Sequence, residues 1–234
     1  MTAPAKPTSE HARAGTKGEL LFYGVIRAIL LGACKVWFRV SAKGQEHVPA
    51  EGAFILAPVH RSNLDFAIVL ICSKRRMRYL AKDSLWKGQG FWAKVFTGLG
   101  GIPVARGSAD REALRTCIEV LDAGEPLVMF PEGTRQHGPV VEELFDGTAF
   151  VQSRTGVPIV PVGIGGSEGA MPKGSKIPKP RKVTVVIGPV LSASDAVGPK
   201  AKRAAIRDRT TEIRTVVQAL FDEAQVQAGT PNRT

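Results

Sequence analysis

Residues 19–40, ELLFYGVIRAILLGACKVWFRV, are apolar at almost every position, with Arg27 and Lys35 dividing the run into Leu20–Ile26 and Ala28–Cys34. A helix that crosses a bilayer needs about 20 mostly apolar residues, so the interruptions matter. At about 100° per residue, Arg27, Lys35 and Arg39 fall within an arc of roughly 120° and leave the remainder apolar. Two readings fit: an amphipathic helix packed on its own domain, or a helix lying in the lipid interface. The pattern favours the second, with Arg27 and Lys35 toward headgroups and Leu20, Phe22, Trp37 and Phe38 toward lipid. The 18 residues ahead of it, small, polar and rich in Pro and Gly, read as a flexible tail. Arg13 and Lys17 before an apolar stretch resemble an export signal, and Leu31-Gly32-Ala33-Cys34 a lipoprotein box. Arg27 inside the apolar region and the lack of an A-x-A site argue against both.

From residue 41 onward, short apolar runs alternate with helical segments. Phe54–Pro58, Arg78–Ala81, Ile102–Val104, Leu127–Phe130, Ile159–Val162 and Val183–Ile187 read as strands. Helices are predicted over 64–73, 85–98, 109–123 and 145–155, the last closed by Gly156, with a final amphipathic helix from about 200 to 227. The alternation predicts an α/β domain over 41–234, built on a single mostly buried mixed sheet flanked by helices. Pro161 cannot donate to a ladder, which places its strand at an edge or at a bulge. The stretch 164–181, rich in Gly, Pro and Lys, reads as loop throughout.

Composition narrows the company this chain keeps. With 44% hydrophobic and 23% charged residues in 234, it is neither disordered nor a disulfide-stapled miniature. Three widely spaced Cys (Cys34, Cys72, Cys117) and four scattered His form no metal-ligand pattern, and a reducing compartment fits them. The formal net charge of +11 calls for anionic partners: nucleic acid, a membrane surface or phosphorylated substrates. Ten of the cations lie in two segments free of interleaved acids, Lys74, Arg75, Arg76, Arg78 and Lys82, then Lys173, Lys176, Lys179, Arg181 and Lys182. A basic nucleic-acid-binding protein is the non-enzymatic alternative; an aromatic content of 6% and the lack of stacking or helix-turn-helix signatures speak against it.

Chemistry concentrates at the ends of the predicted strands, where α/β sheets bind ligands. His60-Arg61-Ser62-Asn63-Leu64-Asp65 follows the first of them, with Ser62 or Asn63 as N-cap of the next helix. His60 and Asp65 meet only if His60 lies in the turn and Asp65 in the first helical turn. There the carboxylate, favoured by the helix dipole, fixes the imidazole tautomer and frees the other ring nitrogen to take a proton from a hydroxyl. Phe130-Pro131-Glu132-Gly133-Thr134-Arg135 follows another strand and offers a close backbone approach, a hydroxyl and a guanidinium fork suited to phosphate. The bland alternative is a turn in which Glu132 and Arg135 pair with each other. Gly101-Ile102-Pro103-Val104-Ala105-Arg106 and Val157-Pro158-Ile159-Val160-Pro161-Val162 complete the set.

Taken in order, these four blocks resemble those of the glycerolipid acyltransferase family that includes 1-acylglycerol-3-phosphate acyltransferases, over about residues 40–190. Val40–Pro49 is similar to the family's stretch before the first strand. The resemblance implies that His60 is the general base, oriented by Asp65, for direct attack of an acceptor hydroxyl on an acyl thioester. It implies a phosphate site made of Lys82, Arg106, Glu132, Gly133, Thr134 and Arg135, with Glu132 positioning the glycerol portion or the loop. No cofactor and no metal are implied: acyl-CoA or acyl carrier protein is a substrate, and a lysophospholipid or glycerol phosphate is the acceptor. It further implies a seat on the cytoplasmic face of the cell membrane, monotopic or peripheral. Ala105 stands where many members carry Asp.

Overall fold

A computed structural model describes residues 15–82, 86, 90–104, 110–175, 177–193 and 202–232. Helix α1 (Lys17–Phe38) opens the described chain. Thr16 caps it in a full capping box: its hydroxyl accepts from Glu19 N, and the Glu19 carboxylate accepts from Thr16 N. It ends at Arg39 in the left-handed region, φ 49°.

Among the described residues seven strands follow: β1 (Ser41–Lys43), β2 (Ile55–Pro58), β3 (Arg78–Lys82), β4 (Gly101–Val104), β5 (Leu127–Val128), β6 (Ile159–Gly165) and β7 (Thr184–Ile187). They form one mixed sheet in the order β1-β7-β6-β2-β5-β3-β4. Every pairing is parallel except β6 with β7. Between them lie α2 (Asp65–Ile68), continued by a 3-10 turn over Val69–Ile71, then α3 (Phe91–Gly98), α4 (Asp110–Asp122), α5 (Gly147–Thr155) and α6 (Ser167–Ala170). Helix α7 (Arg203–Ala228) closes the fold across β6 and β7. Strands β2, β6 and β7 are buried at every position, which explains their continuous rather than alternating apolar sequence.

The expected α/β class holds, with three differences. Ser41–Lys43, read only as the approach to the first strand, is itself an edge strand against β7. The stretch from 164 is not all loop: β6 runs to Gly165 and a helical turn follows. Glycine there serves packing, because a Cβ on Gly163 or Gly165 would lie 2.1–2.2 Å from backbone atoms of Leu220 and Ala224 in α7. Only a glycine face lets the helix lie this close to the strand.

Pro161 sits in an interior strand, so the edge reading fails, but the bulge reading stands. Between Val162↔Ile187 and the bridge Ile159↔Leu191, three steps along β6 oppose four along its partner. The missing N–H faces that slip, while Pro161 O still accepts from Gly188 N at 3.0 Å.

Helix α1 packs on α2, the 3-10 turn and α3 through Tyr23, Leu31, Cys34 and Phe38. Two expectations for it are overturned. Phe38, assigned to lipid, is 5% exposed and belongs to the core. Arg27, assigned to headgroups, donates to Leu70 O at 3.0 Å and Ser73 O at 3.1 Å, satisfying carbonyls at the end of the 3-10 turn. Leu20, Phe22, Trp37 and Lys35 are exposed as expected, beside Leu21, Val25, Ile29 and Val36.

Candidate active site

The parallel strands β2, β5, β3 and β4 end on one side of the sheet, and the chemistry-bearing loops leave from there. Beyond Pro58 the chain turns through His60 before entering α2 at Asp65. The turn is held by one carboxylate oxygen. Asp65 Oδ2 accepts from His60 Nδ1 at 3.0 Å and from the Arg61 and Ser62 amides at 2.7 Å each. With two N–H donors already on it, that oxygen acts as an acceptor, so Nδ1 carries the ring proton and Nε2 presents a lone pair. Asp65 is fully buried, whereas the His60 side chain keeps 20% of its surface. The condition the spacing set is met: His60 lies in the turn, Asp65 opens the helix, and the two side chains are hydrogen-bonded.

Ser62 does not cap α2, contrary to expectation, and neither does Asn63: the N-cap position is Leu64, without a side-chain cap. The Ser62 hydroxyl donates instead to Met171 O at 2.8 Å and accepts from Leu64 N at 3.2 Å.

The loop after β5 is bolted to this turn. Glu132 is buried, and it is bonded neither to Arg135 nor placed to reach a substrate phosphate. Both its oxygens accept from Arg61 Nη1, at 2.6 and 2.9 Å, and Oε2 accepts from His60 N at 2.8 Å. Arg61 in turn donates to the carbonyls of His60, Gly138 and Val140 and lies 4.9 Å over the Phe221 ring of α7. The phosphate assignment of Glu132 is thus corrected: its charge is spent on a buried partner. A second tie runs through the backbone, Gln136 N to His60 O at 2.9 Å.

Gly133 adopts φ 65°, and a Cβ there would meet the Phe145 ring at 2.8 Å, so glycine is required twice over. Gly133 and Thr134 are exposed beside His60's turn, and Arg135 is half-buried with Nη1 unpartnered among the described residues. Lys82 ends β3 in register with Val104 of β4, at the same end of the sheet. Its side chain and Arg106 lie outside the described residues.

Two participants escaped the sequence reading. Phe130 stacks on His60 with ring centroids 4.1 Å apart and planes at 28°. Its place as the last residue before the Pro131 turn was the available signal. Arg61 was passed over as a spacer between His60 and Asp65, although a cation beside an apolar strand end needs an acid. Beside His60 opens a cavity of about 390 Å³, walled by Phe66, Leu70, Tyr79, Leu80, Phe96 and Leu99, among others. It runs between α2 and α3. The site thus joins a solvent-accessible imidazole, a mostly apolar cavity and an unpaired guanidinium nitrogen.

Comparison with known proteins places this arrangement. The acyltransferase family model matches residues 39–165, more than half the chain, and the protein belongs to that family. A 1-acyl-sn-glycerol-3-phosphate acyltransferase of Bacillus subtilis is 26% identical over 158 residues, covering 67% of this chain and 75% of that one. The chloroplastic 1-acyl-sn-glycerol-3-phosphate acyltransferase LPAT1 of Arabidopsis thaliana is 26% identical over 142 residues, covering 60% of this chain and 40% of that one. The chain spans less than half the length of that relative and of a similar one from Chlamydomonas reinhardtii. Among solved structures, the 1-acyl-sn-glycerophosphate (LPA) acyltransferase PlsC of Thermotoga maritima superposes with a TM-score of 0.68. It is 25% identical, covering 87% of this chain and 81% of that one.

Proposed function

We propose that this protein is a membrane-seated O-acyltransferase that moves a fatty acyl group from an acyl thioester to the free hydroxyl of 1-acylglycerol 3-phosphate, giving phosphatidate. The observation that carries the reading is the His60–Asp65 dyad at the mouth of an apolar cavity. His60 Nε2 takes the acceptor's hydroxyl proton as its oxygen attacks the thioester carbonyl. The C–S bond breaks as the tetrahedral intermediate collapses, and the proton passes from the imidazolium to the leaving thiolate. Asp65 holds the tautomer and stabilises the imidazolium. Phe130 fixes the ring's tilt from the other side.

The acceptor phosphate is assigned to Arg135, Gly133 and Thr134, together with Lys82 and Arg106 as the family resemblance implies. The unpartnered Arg135 Nη1 supports this, since a half-buried guanidinium calls for an anion. The thioester's acyl chain fills the cavity between α2 and α3, with acyl-CoA or acyl carrier protein as donor. Helix α1 rests on the cytoplasmic face of the membrane: it is 22 residues long, its most apolar window has mean hydropathy 1.7, and only 17% of that window is buried. With Arg27 turned inward, its outward face is nearly all apolar.

The test is turnover of lysophosphatidate and glycerol 3-phosphate, assayed side by side with palmitoyl- and oleoyl-CoA. The expected result is acylation of lysophosphatidate, lost by about 10²–10⁴-fold in His60→Ala, the range for a general base. Near-normal turnover by the folded variant would refute the mechanism.

A further inference from the structure

The segment after α6 holds cations that the site leaves unused. Lys173, Lys179, Arg181 and Lys182 are exposed, with no acid between Ala170 and Val183. In their midst Ile177 is 75% exposed. The excursion is closed at its base, where Lys179 N donates to Ala170 O at 2.7 Å. It is also tied to the site: Lys173 Nζ donates to Arg135 O at 3.3 Å, and Met171 O accepts from Ser62. A lone exposed apolar side chain is ordinary. An exposed isoleucine in one segment with the exposed Lys179, Arg181 and Lys182, which have no ion pair among the described residues, has the composition of an interfacial segment.

Position adds a second argument. Val183 N donates to Phe38 O at 3.0 Å and Ser41 N to Val183 O at 3.2 Å. Arg181 and Lys182 therefore adjoin the last turn of α1, where Lys35, Val36, Trp37 and Arg39 are exposed. The antiparallel pairing Gly165↔Thr184 puts this junction at the C-terminal end of β6, the end of the sheet that carries His60.

The geometry points to a second membrane contact: residues 177–182 seat Ile177 among lipid acyl chains and Lys179, Arg181 and Lys182 on anionic headgroups. This holds the catalytic end of the sheet against the bilayer. The inference rests on the membrane-seated reading above and adds where the contact is and which lipids it selects. The acceptor then reaches His60 from the surface without leaving it.

The test uses the full chain with Ile177→Cys carrying an environment-sensitive fluorophore, which is selective because Cys34, Cys72 and Cys117 are buried. On vesicles of phosphatidylcholine mixed with phosphatidylglycerol, the emission is expected to shift to the blue and to be quenched by brominated acyl chains. With the triple substitution K179A/R181A/K182A, the inserted-to-free ratio of the probe falls on the order of 100-fold, at about 1 kcal/mol per cation. Ile177→Asp, which needs no label, is expected to lose turnover on vesicle-borne lysophosphatidate but not on detergent-dispersed acceptor. An aqueous emission on vesicles that carry bound protein overturns the proposal, and so does failure of the protein to bind anionic vesicles. If the triple variant keeps the inserted emission and instead raises KM for acyl-CoA, the cations serve the donor's phosphates and the proposed headgroup contact of Lys179, Arg181 and Lys182 is refuted. An inserted loop in a protein that acylates no lysophospholipid would sink the reaction assignment alone.

Discussion

Glu132→Gln separates two roles that one carboxylate cannot fill at once. If Glu132 contacts the acceptor, its loss raises the acceptor's KM and leaves the fold alone. If it is the bolt seen between the loops after β2 and β5, its loss strikes stability and kcat together. Both side chains of the Arg61–Glu132 pair are fully buried. Removing the charge leaves the buried Arg61 guanidinium with only neutral acceptors, the one remaining side-chain oxygen at 132 and the carbonyls of His60, Gly138 and Val140. Breaking such a pair costs about 3–5 kcal/mol. In a chain of this size each kcal/mol moves the melting temperature by about 2–4 °C, so a fall of about 6–20 °C is expected in a thermal scan. Turnover measured well below that midpoint is expected to fall in kcat more than in acceptor KM, because the loops that set His60 against the phosphate site lose their register.

Arg61→Met combined with Glu132→Leu sharpens the test. Replacing a buried ion pair by apolar side chains of similar size is often neutral or stabilising. The double variant is expected to regain the melting temperature but not kcat, since Glu132→Leu removes the acceptor of His60 N. A Glu132→Gln protein with parental melting temperature and kcat, or a double variant with full kcat, would refute the positioning role.

Two further outcomes follow from the cavity and the buried thiols. Phe96→Ala lengthens the cavity between α2 and α3, and a series of acyl-CoA chain lengths is expected to show the optimum moving to longer chains. The change is about four-fold in kcat/KM for each methylene newly buried, from about 0.8 kcal/mol per CH2; an unmoved profile would place the acyl chain elsewhere. Burial pushes the Cys72 and Cys117 thiols up to about 12 from an ordinary 9.0. Native protein at pH 8 is therefore expected to resist iodoacetamide at both, and rapid modification would show that the core opens. The unfolded chain releases these protons first, so their contribution to stability is full below pH 9 and is lost between about pH 9 and 12.

The His60–Asp65 pair was legible because its two requirements, a turn for His60 and a first helical turn for Asp65, are both local. Pro58 and the strand before it supply the first, and the sequence spacing the second. The Arg61–Glu132 pair was not legible: 71 residues separate its members, and Arg135 lies closer in sequence to Glu132 than Arg61 does. What decides between the two arginines is which strand end β5 comes to rest beside, and that is a property of sheet order. Gly165, read as loop, misled for the same reason. In sequence a glycine reads as a turn, whereas here a helix more than fifty residues away lies directly on it.

Arg27 changes the argument about the membrane rather than ending it. Helical periodicity groups Arg27 with Lys35 and assigns the group to the outside, on the premise that a charge seeks water or headgroups. That premise omits the carbonyls of other elements. The 3-10 turn after α2 ends with Leu70 O and Ser73 O in need of donors, and Arg27 reaches both. Once that guanidinium turns inward, α1 keeps Lys35 at the margin and exposes Leu21, Val25, Ile29 and Val36 along one side. Lipid affinity of such a face scales with its apolar area plus the charge around it, and the inward arginine increases the first while Lys35, Arg39, Arg181 and Lys182 supply the second. The charge expected to hold the helix at the headgroups instead fastens it to the catalytic domain. On the membrane-seated reading, whatever fixes α1 in the bilayer thereby fixes α2, and with it Asp65.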